Sequence, residues 1–171
     1  MLTSGLHSSR YLQCALVLQI PAQAEEFGRA IAAHFQNSKI QLVASPAIGG
    51  IIIGHEVARA LGARFLWTER QAGRMCLRRG FSVMPGERTL VIEDVLTTGG
   101  STRETIAALL DAGADVIGAG SIIDRSGGAA DVGVPRVALA DLVAPAIDPA
   151  VCDLCAQGIP AVKPGSRARI L

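Results

Sequence analysis

Apolar residues recur along the chain in short runs, separated by glycine-rich turns and by stretches with helical three-to-four-residue spacing. Residues 21–36 begin with Pro21, which a first helical turn accepts, and place Ala24, Phe27, Ala30, Ile31, His34 and Phe35 on one side. This spacing predicts an amphipathic helix. A short apolar run at 40–44 predicts a buried strand, the glycine pair Gly49-Gly50 a turn, and residues 52–61 a helix stopped by Gly62. Residues 63–68 predict another strand, whereas 69–80 are polar, arginine-rich and without a core-facing period, and are expected to be a loop. Leu90-Val91-Ile92 is a buried-strand signal and 97–100 a turn. Ser101 and Glu104 have capping-box spacing ahead of a helix over 105–112, with Gly113 as its stop. Residues 116–123 and 137–142 supply two more strands. Strand, turn and helix thus alternate, which predicts an α/β fold with a mainly parallel sheet flanked by helices.

Composition narrows the function classes. At 171 residues the chain suits one domain, read here as an N-terminal segment (1–20), an α/β core (21–145) and a loop-rich tail (146–171). Aromatic residues are only 4% and the net charge is +1, so neither a stacking platform nor a broad positive field is available for nucleic acid, and a membrane surface is equally unsuited. Any anionic ligand must be caught locally. The four cysteines are too few and scattered for a disulfide scaffold, and no apolar run has membrane-spanning length, so a reducing cytoplasm is expected. Cys152-Asp153-Leu154-Cys155 is a single CxxC for which spacing nominates no further ligands; free thiols are expected, and no metal role for His7, His34 or His55.

The chemistry concentrates in Glu93-Asp94-Val95-Leu96-Thr97-Thr98-Gly99-Gly100-Ser101, at the carboxyl end of a buried strand, where open α/β sheets place their ligands. Two adjacent carboxylates leaving an apolar strand repel each other unless they meet water, a cation or hydroxyl donors. The hydroxyl-and-glycine turn that follows offers backbone N–H groups at a helix start, which suits a phosphate. A ribose 5-phosphate satisfies both, its hydroxyls on the acids and its phosphate in the turn.

This string closely resembles the phosphoribosyl pyrophosphate signature of type I phosphoribosyltransferases, in a form similar to that of orotate phosphoribosyltransferases. The resemblance covers nearly the whole chain in order. Residues 4–11 are similar to the family's N-terminal substrate segment, 45–51 to its pyrophosphate loop and Asp124-Arg125 to its base-side arginine. It implies that phosphoribosyl pyrophosphate contacts Ile48, Gly49, Glu93, Asp94, Val95, Leu96, Thr97, Thr98, Gly99, Gly100 and Ser101. Orotate would contact Ser4, Tyr11, Leu12, Thr97 and Arg125, whose planar fork can grip the orotate carboxylate bidentately. The catalytic group would be Asp94 and Glu93, with Arg70 and Arg74 of the arginine-rich segment closing on the departing pyrophosphate.

The implied activity is transfer of phosphoribosyl to orotate in pyrimidine synthesis. Mg²⁺ would be held mainly by substrate and water, with no protein-held metal, and the enzyme would be a homodimer. Transfer to a purine base, and a non-catalytic sensor of phosphoribosyl pyrophosphate, stand as alternatives. The implied fold is type I phosphoribosyltransferase-like with a small N-terminal hood, shorter than in relatives. Thr3 and Gly49 stand where many relatives carry lysine, and this chain's arginines hold charge without shuttling a proton.

Overall fold

The computed structural model describes residues 5, 7–9, 12–142 and 147–162. Residues 13–142 make one compact unit; the described residues within 1–12 and 143–171 make another.

In the larger unit, α1 (Ala15–Leu18) and α2 (Pro21–Ala33) precede β1 (Leu42–Pro46), α3 (Gly50–Leu61) and β2 (Arg64–Gln71). There follow β3 (Arg74–Leu77), β4 (Arg88–Leu96), α4 (Gly100–Asp111), β5 (Asp115–Asp124) and β6 (Arg136–Asp141). The six strands form one sheet in the order β3-β2-β1-β4-β5-β6. All neighbours are parallel except β2 and β3. The chain leaves β1 toward β2 on one side, whereas β4 lies on the other. The carboxyl ends of β1 and β4 therefore flank a topological switch point, the crevice where such sheets bind ligands.

Burial on both faces explains the apolar runs. Alternation along β1 sends Val43 to the face covered by α2 and α3, and Leu42 and Ala44 to the face covered by α4. Leu90 and Ile92 of β4 join Ile31, Ile53 and Val57 in the first cluster, and Val91 joins Ile106 and Leu109 in the second. Each fully buried aliphatic side chain contributes about 1.5–3 kcal/mol. Pro21 opens α2, and Gly62 closes α3 in the left-handed region at φ 66°.

Two sequence expectations change. Residues 69–80 are not a plain loop: β2 runs on to Gln71 and turns through Ala72 (φ 49°) and Gly73 (φ 83°) into β3. Two successive positive φ values are the signature of a two-residue hairpin turn matched to strand twist. Only Met75 and Leu77 turn inward from β3, while Arg74 and the flanking Arg70, Arg78 and Arg79 are exposed on a solvated edge, so no period stood out. The capping box of Ser101 and Glu104 does not form either. The residue preceding α4 is Gly99, at φ 73°, and no side chain caps the helix.

In the smaller unit, His7 and Ile147 form an antiparallel bridge with both N–H···O bonds at 2.8 Å. A 3₁₀ turn (Pro149–Val151) follows, its first free N–H, that of Ala150, held by Asp148 Oδ1 at 2.8 Å, and then the short helix α5 (Asp153–Ala156). No helix among the described residues is long and apolar enough to cross a membrane.

Candidate active site

The site is built first from the end of β4. Glu93 and Asp94 leave the fully buried Leu90-Val91-Ile92 half-exposed, at the switch point. Burial, and after it the charge of Asp94, pushes the Glu93 carboxyl well above the usual carboxylate range. Asp94 Oδ1 accepts the N–H of Val95 at 2.8 Å, which fixes its carboxylate beside the strand end. Glu93 therefore retains its proton beside Asp94, a strain poised to be relieved by hydroxyl donors or a cation.

Thr97 and Thr98 follow, both exposed, and Gly99 is buried beneath them. Glycine is required here: besides the positive φ, a Cβ would lie 2.8 Å from Val132 Cγ1. Arg103 Nη1 donates to the carbonyls of Thr98 at 2.9 Å and Asp131 at 2.6 Å. A turn carbonyl is thus engaged while the first amides of α4, through Ser101, have no side-chain cap. Glu104 instead reaches Arg70 at 2.7 Å. A helix start left uncapped, opening on exposed hydroxyls, is an anion-binding geometry.

The segment after β1 closes the crevice from the other side. The Ala47–Ile48 peptide is cis, and Ile48 is exposed. Gly49 presses against the acid pair so closely that a Cβ would stand 2.7 Å from Asp94 Oδ1. A Cβ on Gly50 would meet the Ile92 carbonyl at 2.9 Å. The hydroxyl of Ser45, at the end of β1, is buried without a hydrogen-bond partner among the described residues. Sequence reasoning placed Ser45 in the loop but not among the site residues; its lack of a partner is a tertiary signal.

Arg125 follows β5, its backbone N–H bonded to the Leu96 carbonyl at 2.7 Å. Its Nε is buried with no hydrogen-bond partner among the described residues. Asp124 is fully buried and serves as an anchor: Oδ1 accepts from Ser126 N at 2.7 Å and Oδ2 from Arg136 Nη1. Burial alone would raise the Asp124 carboxyl, but the bonds from Ser126 and Arg136 outweigh it and hold the group below its ordinary value. Arg125 is thus clamped between an anchored aspartate and the loop it supports, with donor capacity to spare. Sequence reasoning missed Arg136, which carries no signal until β6 lies beside β5.

The hairpin arginines divide. Arg70 spans to Glu104 of α4 and to the Gly73 carbonyl, while Arg78 and Arg79 both pair with Glu69. Arg74 has no side-chain partner among the described residues. Ser4 and Tyr11 lie outside the described residues, and Leu12 belongs to the smaller unit.

A six-stranded sheet with an acidic pair and a glycine turn at its switch point defines the phosphoribosyltransferase class. Two solved structures share the fold: an orotate phosphoribosyltransferase from Aeropyrum pernix (TM-score 0.65, 24% identity, 82% of this chain and 84% of that one), and an adenine phosphoribosyltransferase from Rhodothermus marinus (TM-score 0.66, 22% identity, 82% and 96%). Fold alone therefore does not choose the base. No protein-family model matches the chain. The chain is, however, 57% identical over 166 residues to an orotate phosphoribosyltransferase from Pelotomaculum thermopropionicum, covering 97% of this chain and 87% of that protein. The chain belongs to the orotate phosphoribosyltransferase family, enzymes of the glycosyltransferase type.

Proposed function

We propose that this chain transfers the phosphoribosyl group of phosphoribosyl pyrophosphate to orotate, giving orotidine 5-phosphate and pyrophosphate, as a cytoplasmic step of pyrimidine synthesis. The observation that carries this reading is the β4 corner: two half-exposed carboxylates, one held back from ionising, beside a glycine turn and an uncapped helix start. In this reading the hydroxyls of the pentose sit on Glu93 and Asp94, and its phosphate takes the N–H groups and hydroxyls of 97–101. Ile48 and Gly49 face the pyrophosphate. The ring nitrogen of the base attacks the anomeric carbon as the bond to pyrophosphate breaks, with inversion. Positive charge develops on the sugar next to Asp94 and Glu93, and their negative field stabilises it.

Arg125 supports orotate as the base. A guanidinium whose buried Nε has no partner among the described residues is a ready donor to a carboxylate, which uracil and the purines do not have. Thr97 joins Arg125 on the base side in this reading. Arg70 and Arg74, on a hairpin between two rigid strands, would neutralise the leaving pyrophosphate.

Mg²⁺ fits as a companion of the substrate. Among the described residues no group of three or more acids and histidines converges at the crevice, so Asp94 and Glu93 would supply only part of a hard-oxygen shell and substrate oxygens the rest. Bound there, the ion would neutralise charge on the pyrophosphate. A homodimer is part of the same proposal, checked by sedimentation.

Mixing the protein with orotate, phosphoribosyl pyrophosphate and Mg²⁺ tests the reading through the loss of orotate absorbance, beside a panel of uracil, adenine and hypoxanthine. Orotate alone should be consumed. Turnover of another base with orotate untouched would reject the specificity.

A further inference from the structure

Three soft or borderline donors meet in the smaller unit, remote in sequence from the acid pair. His7 and Cys155 stand 148 positions apart, yet Cys155 Sγ lies 3.2 Å from His7 Nδ1. Together with Cys152, one donor atom from each residue falls within 4.8 Å of the others. Around a tetrahedral ion with bonds of about 2.0–2.3 Å, neighbouring ligand atoms stand roughly 3.3–3.8 Å apart, so side-chain adjustment of about 1 Å closes the cluster on an ion.

The backbone holds this arrangement. The bridge between His7 and Ile147 fixes the main chain of the histidine, and the capped turn Pro149–Val151 delivers Cys152, which is buried, to the start of α5. The N–H of Cys155 donates to the Cys152 sulfur, a bond within the CxxC that orients the first sulfur toward the cluster.

We propose that His7, Cys152 and Cys155 form a Zn²⁺ site, with water or another small donor in the fourth position. Two thiolates and an imidazole select zinc over Mg²⁺ or Ca²⁺, so the site is chemically separate from any Mg²⁺ that accompanies the substrate. Coordination displaces the thiol protons, up to two per ion, into solvent, and no oxidant or reductant takes part. The ion would staple the segment around His7 to the segment around α5, so its loading should raise the thermal stability of the protein. This site was not legible in the sequence, because the CxxC showed no third ligand and His7 was an isolated histidine.

The test uses the full-length chain, reduced and stripped of metal, titrated with Co²⁺ as a spectroscopic substitute. One equivalent should produce a sulfur-to-cobalt charge-transfer band and tetrahedral visible bands, displaced by one equivalent of Zn²⁺, with protons released on binding. Cys155→Ser, at an exposed position, should lose the charge-transfer band; His7→Ala should weaken binding; Cys76→Ser should leave it unchanged. X-ray absorption on the zinc-loaded parent checks the ligand count without any variant: two sulfurs and one imidazole nitrogen are expected. Absence of a thiolate band, a band that persists in Cys155→Ser, or a sulfur-free zinc spectrum overturns the site. Each of these readouts is independent of orotate turnover.

Discussion

Replacing Gly99 by alanine tests whether the turn at the head of α4 is set as tightly as its geometry indicates. Gly99 has φ 73°, where an alanine costs about 1–2 kcal/mol. The new Cβ would stand 2.8 Å from Val132 Cγ1, and ordinary contact begins at 3.4 Å, so roughly 0.6 Å must be found by movement. Val132 is 2% exposed and cannot swing outward, and overpacking at such a place costs about 1–3 kcal/mol. A total of about 2–5 kcal/mol lowers the melting temperature by roughly 4–20 °C for a chain of this size. The same displacement moves the amides assigned to the phosphate, so the KM for phosphoribosyl pyrophosphate should rise by ~10-fold or more. Gly100→Ala is the control. It lies inside α4, its Cβ would meet nothing closer than Thr98 Oγ1 at 3.6 Å, and its fold should be unchanged or stabilised by up to ~1 kcal/mol. Thermal unfolding followed by circular dichroism, with initial rates, reads both effects. A Gly99→Ala protein melting within about 1 °C of the parent, or a Gly100→Ala protein melting lower, would refute the reasoning.

Other outcomes follow from the same structure. Glu93 keeps its proton longer when folded, so its contribution is fully present below the unfolded carboxylate value of 4.5 and is lost as pH rises through the raised folded value. Glu93→Gln should therefore gain stability relative to the parent as pH rises above that value in denaturant titrations, while losing turnover. Binding of phosphoribosyl pyrophosphate with Mg²⁺ should expel a proton from Glu93, seen as a heat that varies with buffer ionisation enthalpy; no buffer dependence would count against the assignment of Glu93 to the sugar. Arg125→Ala should raise the KM for orotate by ~30-fold, the equivalent of about 2 kcal/mol for a charged hydrogen bond, with little change for phosphoribosyl pyrophosphate. In the hairpin turn, Ala72→Gly should stabilise the fold by about 1 kcal/mol in the same melts, because position 72 has φ 49°.

Much of the architecture follows from order along the chain. Uniformly apolar runs such as Leu90-Val91-Ile92 can be satisfied only by burial on both sheet faces, and turns such as Gly99 declare themselves because no other residue adopts their φ without strain. The acid pair and phosphate turn were legible for the same reason: their neighbours in space are their neighbours in sequence. What depended on distant pairing was hidden. The β3 edge exists because β2 is there to pair with it, and Glu104 turned out to serve Arg70 across the fold rather than cap its own helix. Asp124 became an anchor only once Arg136 was brought beside it, and His7 gained two sulfur neighbours only when residues near the two ends met. Local backbone preference and hydrophobic period act over a few residues, so a sequence can specify them unaided; a contact across many residues is chosen by the packed chain as a whole.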